Sequence, residues 1–180
     1  MNLTNHYLIA LPNKSNDMFS SSVVYITEHR NISGAIGVII NKPLGRTLKN
    51  AFKDVDFAQY NPSWSNNSLY LGGPVSNDNG FVLQPAITTD GKMFELTNNR
   101  NVLDKIANSN FKNNLFVAIG YASWMSEQLE NEVINNSWLV LKAGQELIFD
   151  IAPHKRYNEA LSLLGVKNLS HLYNSGKIIA

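Results

Sequence analysis

The sequence contains no cysteine. That excludes thiolate zinc sites, iron–sulfur clusters, a cysteine nucleophile and thiol redox switching, and it removes any disulfide argument for secretion. An excess of either charge is also lacking: 15 Lys+Arg stand against 14 Asp+Glu, a formal net charge of +1. Such a balance weighs against a dedicated nucleic-acid or anionic-membrane binder. No apolar run is long enough to span a membrane, and the stretch 1–12 has neither a basic leader nor an apolar segment of signal-peptide length. The expectation is a cytoplasmic chain with no membrane partner.

What is present is a chain of 180 residues, 44% of them hydrophobic. That length buries a substantial core without disulfides or metal, and it suits one domain over 1–180. Asparagine is abundant, but it is scattered among ordered-looking segments and reads as codon bias rather than a low-complexity tract.

β-branched and aromatic runs ended by turn formers predict strands at Tyr7 to Leu11, Ser22 to Thr27, Ala35 to Ile40, Leu69 to Leu71, Phe81 to Leu83, Leu115 to Ile119, Trp138 to Leu141 and Leu147 to Phe149. The short polar segment 28–34 predicts a hairpin between the second and third. Helical spacing predicts helices at Leu48 to Phe52, Val102 to Ala107, Glu127 to Ile134 and His154 to Leu164. The last has Pro153 in its first turn and Gly165 as a left-handed C-terminal cap. Ser123 or Ser126 is the expected cap of the third helix and Asn98 or Asn99 of the second, while the stretch 54–68 reads as a long polar connection. Strands and helices do not alternate regularly, so the class is α+β with a large, at least partly antiparallel sheet.

Four segments together resemble the YqgE/AlgH family of small bacterial proteins: 6–10 (HYLIA); 24–29 (VYITEH) followed by 34–44 (GAIGVIINKPL); 71–75 (LGGPV) with 80–83 (GFVL); and 120–124 (GYASW) with 128–130 (QLE). The resemblance covers nearly the whole chain. It implies a single domain whose mixed, bifurcated sheet curls toward a pseudo-barrel with helices packed on it, and the AlgH label implies a role in transcriptional regulation. The chain departs from the pattern where relatives often carry a cysteine (Thr27), a histidine (Gln84) and a glycine (Ser123). A mechanism requiring that thiol or imidazole cannot operate here.

The residues that carry possible chemistry each have a plainer reading. Glu28 and His29 could pair as carboxylate and imidazole, but on a strand they point to opposite faces, so one at most enters a given cleft. Gly72 and Gly73 could expose backbone N–H groups to a ligand, or form a tight turn with Pro74. Tyr121 and Trp124 could line a pocket or fill the core. Ser123 lacks the small flanking residues of a nucleophile elbow. Glu127 and Glu130 share a helical face, usually a solvated one. His6, His29, His154 and His171 show no metal-ligand spacing, so neither metal nor cofactor is expected. Lys42, Arg46, Lys49 and Lys53 could contact phosphates or simply solubilise a helix.

These readings leave no catalytic constellation. The leading expectation is a non-enzymatic regulatory or adaptor module that binds a protein or small molecule near Glu28, His29, Asn41, Gly72, Gly73, Tyr121 and Trp124. The competing readings are a hydrolase using His29 with Glu28 or Glu130, and a DNA-binding regulator using the Lys42 to Lys53 stripe. A site would require His6, Glu28, His29, Asn41, Tyr121 and Trp124 to converge on one concave surface.

Overall fold

The computed structural model describes residues 1–11, 17–86, 91–110 and 115–166. Its strands are β1 (Tyr7–Ile9), β2 (Val23–Arg30), β3 (Gly34–Ile39), β4 (Pro43–Thr47), β5 (Ser68–Leu71), β6 (Val75–Pro85), β7 (Phe94–Thr97), β8 (Phe116–Trp124) and β9 (Leu139–Leu141). The helices are α1 (Leu48–Ala51), α2 (Val102–Ala107), α3 (Gln128–Ile134), α4 (Glu146–Phe149) and α5 (Pro153–Leu163).

The early strands read as near-continuous apolar runs because both of their faces are covered. Tyr7, Ile9, Val23 and Tyr25 face a core closed by Leu147 and Ile148 of α4 and Ala160 and Leu161 of α5. Leu8, Val24 and Ile26 face a second core closed by Leu129 of α3 and Trp138. A third core gathers Leu48, Phe57, Trp64, Leu69, Leu103 and Val117 beneath α1 and α2.

The sheet runs β4-β5-β8-β3-β2-β1-β9, with β6 pairing both β8 and β7, and it curls into a half-barrel. Its organising strand is β8. Leu69 to Leu71 pair in parallel with Val117 to Ile119, after which the same edge passes to β3, where Ala35 to Gly37 pair antiparallel with Trp124 to Ala122. β6 occupies the other edge. The strand switches partners at Gly120, whose φ is +70°. The expected bifurcated, mixed sheet is therefore present, and so is the hairpin joining β2 to β3.

Some expectations are corrected. Leu147 to Phe149 is helical, not a strand, because a three-residue apolar run carries no period and the first two residues are both buried. Ser123 lies in β8 opposite Ile36, since the strand continues past Ile119 to pair Trp124 with Ala35. α3 starts instead after Glu127, in a left-handed conformation with no side-chain cap. Asn101 takes the N-cap of α2, and the Asn99 side chain accepts from the Asn101 N–H just ahead of it. The 54–68 connection contains two 3₁₀ turns, Phe57–Gln59 and Pro62–Asn66, begun by the side chains of Asp56 and Asn61, and it sends Phe57 and Trp64 into the core. α5 has Pro153 at its start. It ends at Gly165, with φ +76° and the paired hydrogen bonds Gly165 N–H to Ser162 O and Val166 N–H to Leu161 O.

Candidate functional site

A register shift between Ile26 and Glu28 re-aims the end of β2. Beyond it Glu28 pairs with Ile36 and His29 with Ala35, which puts the two side chains on opposite faces. His29 turns inward, its side chain fully buried, and its Nε2 lies 2.9 Å from Glu130 Oε1 on α3. The Leu3 N–H donates to Nδ1 at 2.9 Å, which fixes that nitrogen as the acceptor and Nε2 as the protonated one. The Thr4 hydroxyl accepts from the His29 backbone N–H. Both ring nitrogens are thus occupied, and the pair ties the N-terminal segment, β2 and α3 together. A general base needs a lone pair that substrate can reach, and here the only lone pair faces a backbone donor. Burial pushes the Glu130 carboxyl up, but its backbone hydrogen bond and the bond from His29 outweigh that and hold it below the ordinary carboxylate range.

Glu28 faces the other way, where it bridges Lys92 at 2.6 Å and Arg30 at 2.7 Å. The Lys92 hydrogen bond is the main cause of its lowered pKa, with burial opposing. In register with Glu28 come Ile36 and then Ser123, with half-buried Tyr121 two residues along the same strand and 5.2 Å from the Phe81 ring. Trp124 points to the α3 side and is buried.

Sequence reasoning missed Glu132. Its Oε2 accepts from the indole N–H of both Trp124 (2.8 Å) and Trp138 (2.7 Å), and its Oε1 accepts from Gln128. The i,i+4 spacing of Gln128 and Glu132 was the available signal, and the two tryptophans lie on other elements. Replacing Glu132 with Ala leaves two indole donors unpaired and is expected to cost about 2 kcal/mol. Chemical denaturation would check this, and a loss below about 0.5 kcal/mol would contradict it.

Asn41 and Lys42 hold the turn before β2. Asn41 Oδ1 accepts from the Val23 N–H and its Nδ2 donates to Ser21 O, while Lys42 Nζ donates to Ser20 O. Gly72 is packed so tightly that a Cβ would lie 2.1 Å from Gly120 O, and its N–H already donates to Ile119 O. His6 Nδ1 lies 3.0 Å from Thr4 O, and His171 lies outside the described residues. The sheet therefore separates the candidates: Glu28 and Tyr121 share an outward face, His29 and Trp124 the α3 face, and Asn41, Gly72 and Gly73 are engaged within the fold. Of the positions that depart from the family pattern, Thr27 donates to Ile36 O, and Gln84, largely buried, hydrogen bonds Glu95.

A concave surface lies elsewhere. A cleft of about 240 Å³ opens between β6 and α2, with an apolar floor that includes Phe52, Val82 and Val117 and a polar rim of Asn79, Asn98 and Arg100. Gly80 forms part of its wall, where a Cβ would come within 2.9 Å of the Phe52 ring. Arg100 reaches across to Asp54 at 2.8 Å. Arg46, Lys49 and Lys53 are exposed nearby, but Lys42 is committed to the turn, and burial lowers its pKa. Among the described residues no group of three His, Asp or Glu could hold a metal ion, and no helix is long and apolar enough to cross a membrane.

Residues 7–169 match the model of the AlgH-like family. A UPF0301 protein of Albidiferax ferrireducens is 38% identical, with 92% of this chain and 90% of that protein covered. A UPF0301 protein of Vibrio parahaemolyticus is 37% identical, with 92% and 94% covered. The solution structure of the AlgH protein from Pseudomonas aeruginosa matches with a TM-score of 0.70 at 33% identity, over 96% of this chain and 94% of that one. A crystal structure of a Corynebacterium diphtheriae protein shares the fold, with a TM-score of 0.67 at 17% identity over 88% and 85% of the two chains.

Proposed function

We propose, given that the chain belongs to the AlgH-like family, that it works by binding and not by catalysis, as a regulatory or adaptor module that takes a small ligand in the cleft between β6 and α2. The observation that carries this reading is the separation of acid–base chemistry from concavity. The imidazole of the histidine–carboxylate pair is fully buried on the α3 side with both ring nitrogens engaged, whereas the cleft is walled by apolar side chains and rimmed by amides and one guanidinium. An apolar floor with a few convergent polar groups is the usual form of a small-molecule site. The rim offers amide donors and acceptors together with one guanidinium, which suits a ligand with an apolar body and a polar, hydrogen-bonding edge. Regulation by this route needs no direct contact with DNA, in keeping with the near-neutral charge.

Fragments of that chemistry, titrated into the labelled full chain, are expected to shift the amide resonances of Asn79, Gly80, Asn98 and Arg100. Gly80→Leu, which drives Phe52 into the cleft, is expected to abolish the shifts, and Arg100→Ala to weaken them. Fragments that leave those resonances unmoved would count against the reading. So would turnover of ester, amide or phosphate-ester substrates at about 1 s⁻¹ or faster that is lost in Glu130→Gln.

A further inference from the structure

A second cleft, of about 330 Å³, lies between the Pro62–Asn66 turn with the start of β5 on one side and the N-terminal turn of α5 on the other. Arg156 forms part of its wall and is only 4% exposed. The Arg156 Nε donates to Ile151 O at 2.9 Å, its Nη1 donates to Ile40 O, and the guanidinium sits 5.1 Å from the centroid of the Tyr70 ring. Each of these partners is neutral. Among the described residues no Asp or Glu pairs with it, and none lines the cleft.

A buried guanidinium without a counter-charge is an expensive thing for a fold to keep. The side chains around it keep hydrogens to donate: the Tyr70 phenol, which accepts from the guanidinium and retains its own O–H, the Ser68 hydroxyl and the Asn66 amide. Pro153 opens α5 beside the cleft with no side-chain cap on that helix end, so the positive end of the helix dipole adds to the same field. Ile148 and Phe149 supply an apolar wall for the rest of a ligand.

We propose that this cleft is an anion site, in which Arg156, Tyr70, Ser68 and Asn66 hold the tetrahedral oxyanion of a small phosphate ester. Nε and one Nη1 hydrogen are held by backbone carbonyls, which leaves the remaining Nη hydrogens of a fixed, planar guanidinium for phosphate oxygens beside neutral hydroxyl and amide groups, and the cleft has room beyond the phosphate for an organic group. The site stands apart from the cleft between β6 and α2, and it holds whether or not that one is occupied.

The test titrates inorganic phosphate and glycerol phosphate into the labelled full chain, with sodium chloride at matched ionic strength and acetate as controls. Saturable movement of the Arg156 Nε–H resonance and the Ser68 amide is expected with both phosphates and with neither control. Arg156→Lys keeps the charge but loses the planar Nη donors, and is expected to weaken binding about tenfold. Because Arg156 also supports the fold, the exposed Asn66→Asp is the second variant: it adds a like charge at the mouth and is expected to weaken binding at least about tenfold with the melting temperature unchanged. No saturable shift, an equal response to chloride, acetate binding as tightly as phosphate, or unaltered affinity in Asn66→Asp would each overturn the assignment.

Discussion

Gly120→Ala is expected to cost more than about 4 kcal/mol and to leave little folded protein, because domains of this kind hold only about 5–15 kcal/mol in reserve. Gly120 has φ +70°, and a Cβ there would sit 2.4 Å from Gly73 O and 2.9 Å from Val75 O. The left-handed conformation alone costs a non-glycine residue about 1 kcal/mol. The larger part comes from overlap with backbone that has nowhere to go. β8 is held by β5 and β3 on one edge and by β6 on the other, so relieving the clash breaks pairing at the switch point. Gly45 separates the two causes: its φ is +69° with nothing within 4 Å of a built Cβ. Gly45→Ala should therefore lose only about 1 kcal/mol. Soluble yield and urea denaturation of the two variants check the pair, and equal losses would show that the close approach is absent.

His29→Leu is expected to destabilise the chain by about 3 kcal/mol, lowering the melting temperature by about 6–12 °C. The leucine matches the imidazole in bulk but leaves the buried Leu3 N–H without an acceptor. Glu130 retains some contact with water, so the loss of its partner is screened and contributes the smaller share. The pH dependence has a definite sign. Glu130 is held below its ordinary range in the folded state, so its contribution is full above the unfolded carboxylate pKa of about 4.3 and disappears as pH falls through the lower folded value. The gap between wild type and His29→Leu should accordingly narrow in acid, and scanning calorimetry from pH 7 to pH 3 would show it. A gap that widened in acid would contradict the pairing.

Much of the architecture is legible in the residues because period and punctuation act locally. The Pro153–Leu163 helix has its apolar stripe, its opening proline and, just beyond its last turn, its closing glycine within one short segment, and it forms as expected. The runs of β1 to β3 are equally plain. Edge elements are less so: β4 carries Pro43 and Gly45 and is mostly exposed, so it has no apolar signature, and α4 is too short to display a period. The site resists reading for a different reason. Which face Glu28 or His29 takes depends on alternation along β2, which was foreseeable, but the nearness of Glu130 and Leu3 depends on how distant segments pack. Asn41 and Gly72 look like ligand-binding types because backbone-binding amides and bare glycines serve turns and strand crossings equally well. Arg156 drew no attention because nothing in the order of residues says that a helical arginine will be buried beside a tyrosine ring.

That His29 holds the fold and performs no acid–base chemistry is tested most directly by the long-range ¹H–¹⁵N correlation spectrum of its imidazole at neutral pH. The expected result is a ring protonated at Nε2, with Nδ1 an acceptor and the Nε2 proton slow to exchange with solvent. A ring protonated at Nδ1, or an imidazole proton exchanging freely with water, would contradict it and would return His29 to the list of catalytic candidates.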